Sequence, residues 1–507
     1  MGGGPVRLRP GRPTVALVVL ATLVVLVAVA GGLSAASGRS ANGDGVRTTP
    51  VRPGSLPVAP TRPPTLAASD WTTYDQNGER TGVDPSGASF SPATPAWTSP
   101  TLDGRLYGQP LVYAGRVFVA TEDDTVYALA ARTGAVLWAT QVGDPFHPGS
   151  VRGLCGNIGP TVGITSTPVI DPARDELFVV AAEQVPGNAS HHLVGLDLAS
   201  GAVLLDEVVD PPGTDPAYQL QRASLALADG RVIVGFGGNA GDCGPYHGLV
   251  VSAPEDGAPP STFVVADRPG DRQGAVWMGG GAPVVDASGD LWVSTGNSAF
   301  TTPGKPYDQS DGVLELSPTL KLLQEFAPSD WYADNRSDLD LSTPPVLLAD
   351  GLVFALGKSS TAYVLDRASL GGVGGELLAR PACFGHGAAA HVGDTVYTGC
   401  GDGVSAYRVT GDPPALTALW STSTGGGGTP IVAGGGVWSI GGGSLNEVDP
   451  ATGATEQRFP LGSSPSSFPS PSAGDGLVLA PTTDSVKAFE GPAGLPPAPG
   501  PLPPVGP

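Results

Sequence analysis

From Pro110 to Gly143 the chain reads PLVYAGRVFVATEDDTVYALAARTGAVLWATQVG, and apolar residues alternate with polar ones through most of it. A period of two predicts half-buried strands. Ala114-Gly115, the acidic run Glu122-Asp123-Asp124 and Thr133-Gly134 divide the stretch into four strands, an antiparallel meander ending in AVLWATQ. A single meander leaves one apolar face uncovered, so copies of it must stack.

Copies follow along the chain. STPVIDPARDELFVVAAE with HHLVGLDLASGAVLLDEVV spans 166–209, and QRASLALADGRVIVGFGG with HGLVVSAPEDGAPPSTFVV spans 221–265. Further units start at Gly280, Ser342, Gly385 and Thr429. The last, SFPSPSAGDGLVLAPTTDSVKAFEG, supplies three strands and stops at Gly491. Its missing fourth strand is available near Trp97, where AWTSPTLDG matches the fourth strands LWATQVG and LWSTSTG, Trp on Trp. An all-β, eight-bladed β-propeller of four-stranded antiparallel blades, its last blade completed by an N-terminal strand, is the fold this predicts. Closing the ring in that way leaves no open sheet edge.

Composition agrees with short strands and tight turns: of 507 residues, 75 are Gly, 53 are Pro and only 14% are charged. No helical stripe is evident beyond the N-terminus. The net charge of -21 repels phosphate backbones, which argues against a nucleic-acid partner.

The two ends differ from the body. Arg7, Arg9 and Arg12 precede the apolar run VALVVLATLVVLVAVA, so residues 1–36 are expected to be a signal or transmembrane anchor. Residues 37–68 are rich in Pro, Arg and Ser and are expected to form a spacer. The propeller then occupies 69–491 and a Pro-rich tail 492–507. A cell-membrane protein with one N-terminal pass and the body outside is the expectation, a secreted one the alternative. The four cysteines form no CxxC pair, which disfavours structural zinc. In an exported chain two disulfides are expected. Cys155–Cys243 with Cys383–Cys400 is the anticipated pairing of the three possible, with buried free thiols as the alternative.

The phrases VYALAARTGAVLW, LVGLDLASGAVLL and EVDPATGATEQ resemble the repeat of pyrroloquinoline-quinone (PQQ) type propellers, in which a Thr-Gly turn lets a Trp dock on the neighbouring blade. Larger blocks such as CGNIGPTVGITSTPVIDP resemble exported actinobacterial members of that family. The family includes quinoprotein alcohol dehydrogenases and the scaffold lipoprotein of the outer-membrane β-barrel assembly machine.

The resemblance implies site residues. In the dehydrogenases PQQ sits over the channel beside a calcium ion held by Glu and Asn, and an Asp takes the alcohol proton. DLWVSTGNSAF places Asn297 at the calcium-ligating Asn; GFGGNAGDCGPYHG lacks the Glu, leaving Asp242 or Asn239; APSDWYADNRSDLD offers Asp330 or Asp334 as the base. Arg222 and Arg152 are candidate partners for the cofactor's carboxylates. The adjacent-cysteine disulfide of those enzymes has no counterpart here, and Asn297 has an alternative role as a turn amide. Two functions therefore stand: a tethered extracytoplasmic propeller binding a protein or cell-envelope partner, or a PQQ- and calcium-dependent dehydrogenase of alcohols or sugars. Fold does not choose between them.

Overall fold

The structure, a computed structural model, describes residues 67, 69–156, 158–238, 242–299, 304–463 and 467–495. The expected anchor, nearly all of the spacer, most of the tail and Asn239 lie outside these residues. Among the described residues no helix is long and apolar enough to cross a membrane.

Eight antiparallel sheets follow one another along the chain. Blade 1 has strands Leu111–Tyr113, Arg116–Ala120, Thr125–Ala130 and Val136–Gln141, in that order from hub to rim. Its first three strands are mostly buried while the fourth alternates between exposed and half-buried, because the rim strand has no further neighbour. The first strands of the remaining blades begin at Val169, Ala226, Val284, Val346, Gly385, Ile431 and Ser472. Blades bury their faces on each other: Phe178, Val180 and Leu193 of blade 2 interlock with Val232, Phe236 and Val251 of blade 3. Each such side chain contributes about 1.5–3 kcal/mol on leaving water.

Closure occurs where the sequence pattern placed it. Thr94–Thr98 pairs antiparallel with Val486–Glu490, Trp97 opposite Ala488 and Thr98 opposite Lys487. The Trp dock is explicit at three blade joints. Trp97 Nε1 donates to Ala131 O at 2.8 Å, Trp138 Nε1 to Leu198 O at 3.2 Å, and Trp420 Nε1 to Pro450 O at 2.9 Å. Each ring lies on a glycine of the next blade: a Cβ at Gly134, with φ +68, would stand 2.4 Å from the Trp97 ring. Both disulfides, Cys155–Cys243 and Cys383–Cys400, are formed as anticipated.

Two features were not legible in the pattern. A two-turn helix, Trp331–Ser337, sits between blades 4 and 5; seven residues are too few to show a stripe. The segment from Trp71 to Val83 crosses the hub and bonds to first strands in turn. Trp71 pairs with Val112, Thr72 O accepts from Ile170, Gly78 O from Val285, Thr81 O from His391 and Gly82 O from Val432. Arg80, 4% exposed, holds this plug together, donating to Pro283 O, Thr73 Oγ1 and the Tyr74 and Asn77 carbonyls.

Candidate functional site

Where the chain enters the first strands lies a cavity of about 270 Å³. Arg222, Asp242, Trp277, Asn297, Asp340 and Lys358 all line it. They come from loops ahead of blades 3, 4 and 5 and from turns within blades 3, 4 and 5, so they meet only when these neighbouring blades pack together.

Asp340 organises one wall. It is 3% exposed. Its Oδ1 accepts the Asn297 backbone N–H at 2.9 Å, while Oδ2 accepts Trp277 Nε1 at 3.2 Å and lies 2.8 Å from Lys358 Nζ. Burial raises the Asp340 pKa against the opposing pull of Lys358, and the ion pair outweighs burial at Lys358, whose pKa rises. Lys358 also reaches Asp338 Oδ1 at 2.9 Å and stands 5.5 Å from the Trp277 ring centre. Asp242 accepts the Tyr246 hydroxyl at 2.6 Å, and burial followed by the Asp242 charge holds that phenol protonated.

Arg222 forms the opposite wall. It is 5% exposed, its Nη2 donates to Ser467 O at 3.0 Å, and its guanidinium lies 5.7 and 5.6 Å from the Tyr107 and Phe468 ring centres. Gly280 is what makes room for it: a Cβ there would be 2.3 Å from the guanidinium, and φ is +83. Burial lowers the Arg222 pKa, and no carboxylate bridges to it among the described residues. A charge so placed, facing an open cavity, is suited to an anionic ligand.

The expectations from sequence divide accordingly. Asn297, Asp242 and Arg222 converge on one cavity. Arg152 is exposed in the loop before Cys155 and does not line it. Asp330 and Asp334 do not line it either: Asp330 is exposed at the start of the short helix, and Asp334 is turned into its packing. Burial and the Asp330 charge push Asp334 to about 6. The acids that reach the cavity from this segment are Asp338 and Asp340, because the helix ends at Ser337 and the chain then leads into blade 5. Trp277, Lys358 and Tyr246 escaped sequence reasoning; a lone Trp in AVWMGG and a lone Lys in LGKSS carry no spacing signal.

The donor set can be tested against the group that the resemblance implies. A flat, multiply anionic quinone needs a ring face and cations; Trp277, Arg222 and Lys358 provide these. A calcium ion needs several oxygens, of which Asn297, Asp242 and Asp340 offer three. Among the described residues, no three Asp, Glu, His or Cys ligand atoms gather within 4.8 Å here, so part of such an ion's shell would have to come from the ligand or water. The Cys155–Cys243 disulfide ties together the loops carrying Ile158 and Asp242, both cavity residues, although it is not the adjacent-cysteine bridge of the dehydrogenases.

The family described as outer membrane protein assembly factor BamB matches residues 89–242. A polyvinylalcohol dehydrogenase of Sphingopyxis sp. is 26% identical over 383 residues, 65% of this chain and 53% of that protein, so the chain spans about half the length of this curated relative. The quinohemoprotein alcohol dehydrogenase from Comamonas testosteroni superposes with a TM-score of 0.60 at 15% identity, over 84% of this chain and 82% of that one. BamB from Moraxella catarrhalis superposes with a TM-score of 0.52 at 12% identity, over 78% and 99%. By repeat, by ring closure and by these likenesses, the chain is a PQQ-repeat β-propeller of the quinoprotein alcohol dehydrogenase-like fold.

Proposed function

We propose that the chain is an extracytoplasmic dehydrogenase of alcohols or sugars that works with PQQ and calcium in the hub cavity. One observation carries this reading: a buried Arg, a half-buried Lys, a Trp face, an Asn and three carboxylates meet in a single cavity, from loops far apart in sequence. Arg222 and Lys358 would answer the cofactor's carboxylates, Trp277 would lie along its ring, and Asn297 with Asp242 would hold the metal. Bound PQQ supplies a two-electron acceptor. Asp340 receives the proton of the substrate hydroxyl, and Lys358 orients that carboxylate and opposes the effect of its burial. Likeness to a polyvinylalcohol dehydrogenase supports an alcohol as substrate. The apolar run near the N-terminus supports a membrane tether holding the body outside.

Adding PQQ and Ca²⁺ to the purified protein should raise its melting temperature and give dye reduction with an alcohol panel. No shift together with no turnover sinks the proposal. A second reading, a scaffold for a protein or envelope partner, is favoured by one surface: the rim strands of blades 1 and 2 expose Val136, Leu137, Val203, Leu204 and Val208. Cross-linking on intact cells, with these residues replaced by Ser, tests it.

A further inference from the structure

Blades 1 and 2 meet in a seam crowded with acids. Three residues of blade 2 come from adjacent strands, Glu183 in Glu176–Val185, His192 in Asn188–Asp197 and Asp206 in Val203–Val208. His192 Nδ1 is 2.7 Å from Asp206 Oδ1 and 3.7 Å from Glu183 Oε1, and the three ligand atoms lie within 4.8 Å of one another. Glu183 faces blade 1: a Cβ on Gly143 would stand 2.5 Å from its Cγ.

A second observation is an unpartnered buried carboxylate close to Glu183. Asp124 of blade 1 is 0% exposed, and neither of its carboxylate oxygens has a hydrogen-bond partner among the described residues. Its Oδ1 lies against Gly163, whose carbonyl accepts the Ala182 amide beside Glu183. Beyond burial, Glu122, Glu183, Asp123 and Asp144 all raise the Asp124 pKa. Around Glu183 the charges are Asp206, Asp144 and, as the basic member, His192. An unpaired buried carboxylate amid others is costly while ionised, so it either holds a proton or is joined by a positive charge.

We propose that this seam binds one divalent transition-metal ion of the zinc class, with Glu183, His192 and Asp206 as ligands. Asp124 and Asp144 stand behind them as a source of negative potential. The imidazole selects a borderline-soft ion over calcium, and three protein ligands leave a position for water. None of the three lines the hub cavity, so the site is independent of the cofactor reading.

Purified protein, stripped with chelator and re-equilibrated with Zn²⁺ alone, is assayed for bound metal and by calorimetric titration. Expected are one zinc per chain and at least tenfold weaker binding in both His192→Ala and Asp206→Asn, with Asp124→Asn weakened by about tenfold as for an outer-shell partner. Asp340→Asn in the hub retains the zinc. Absence of saturable binding, tighter binding of Ca²⁺ than of Zn²⁺, full affinity in His192→Ala and Asp206→Asn, or loss of the ion in Asp340→Asn each overturns the proposal.

Discussion

Replacing Asp340 by Asn isolates the charge at the centre of the cavity. The side chain keeps its shape, and its oxygen can still accept the Asn297 backbone N–H. The new NH₂ would then face two other donors, Lys358 Nζ and Trp277 Nε1, which now lie 2.8 and 3.2 Å from Oδ2. Loss of a hydrogen bond to a charged group costs about 1.5–3 kcal/mol, and breaking a buried ion pair about 3–5. Lys358 is 17% exposed and retains Asp338, and the cost of burying the Asp340 charge disappears, so the lower end applies, about 2 kcal/mol. In a body this large each kcal/mol shifts the melting temperature by roughly 1 °C, giving a fall of about 2 °C. A general base contributes roughly 10²–10⁴-fold, so dye-coupled turnover should drop within that range while added PQQ still raises the melting temperature. A variant at least as stable as the parent refutes the ion-pair argument. One with undiminished turnover refutes the role given to Asp340.

Three other outcomes are expected. Stability should rise as pH falls from 8 towards 5: burial raises Asp75 to about 8 and Glu122 and Glu255 to about 7, so the folded state binds more protons than the unfolded one across this range. A melting temperature that climbs with pH over the same span contradicts it. Gly134→Ala forces a Cβ against the Trp97 ring at positive φ and should cost about 2–4 kcal/mol, read from the denaturant midpoint; an unchanged midpoint removes the ring dock as a closing device. Replacing Cys155 and Cys243 together by Ala opens an 88-residue loop and should cost about 4–5 kcal/mol by chain entropy, while weakening PQQ binding more than the Cys383, Cys400 double variant does.

Much of the fold could be read along the chain because a meander is a local object. Alternation of two, Thr-Gly turns and a recurring Trp are each written within a few tens of residues. Even the ring closure left a local trace, an orphan fourth strand at Trp97 for a blade that lacked one. Asn297 and Asp242 were singled out by the resemblance of their segments, DLWVSTGNSAF and GFGGNAGDCGPYHG, and both line the cavity.

The rest depends on which way the ring turns its loops. Four acids lie between Asp330 and Asp340, and residue type does not distinguish them; the short helix carries Asp330 and Asp334 away, and the lead into blade 5 carries Asp338 and Asp340 to the hub. Trp277 and Lys358 are isolated in sequence yet 5.5 Å apart across the cavity. Arg80 likewise gains its partners only when the plug threads the first strands. The sequence alone determined the repeated sheet, and its number to within one unit, since hydrophobic periodicity acts between neighbours. Tertiary structure decided the cavity, because convergence of side chains from separate blades is a property of the closed ring and is encoded in no single stretch.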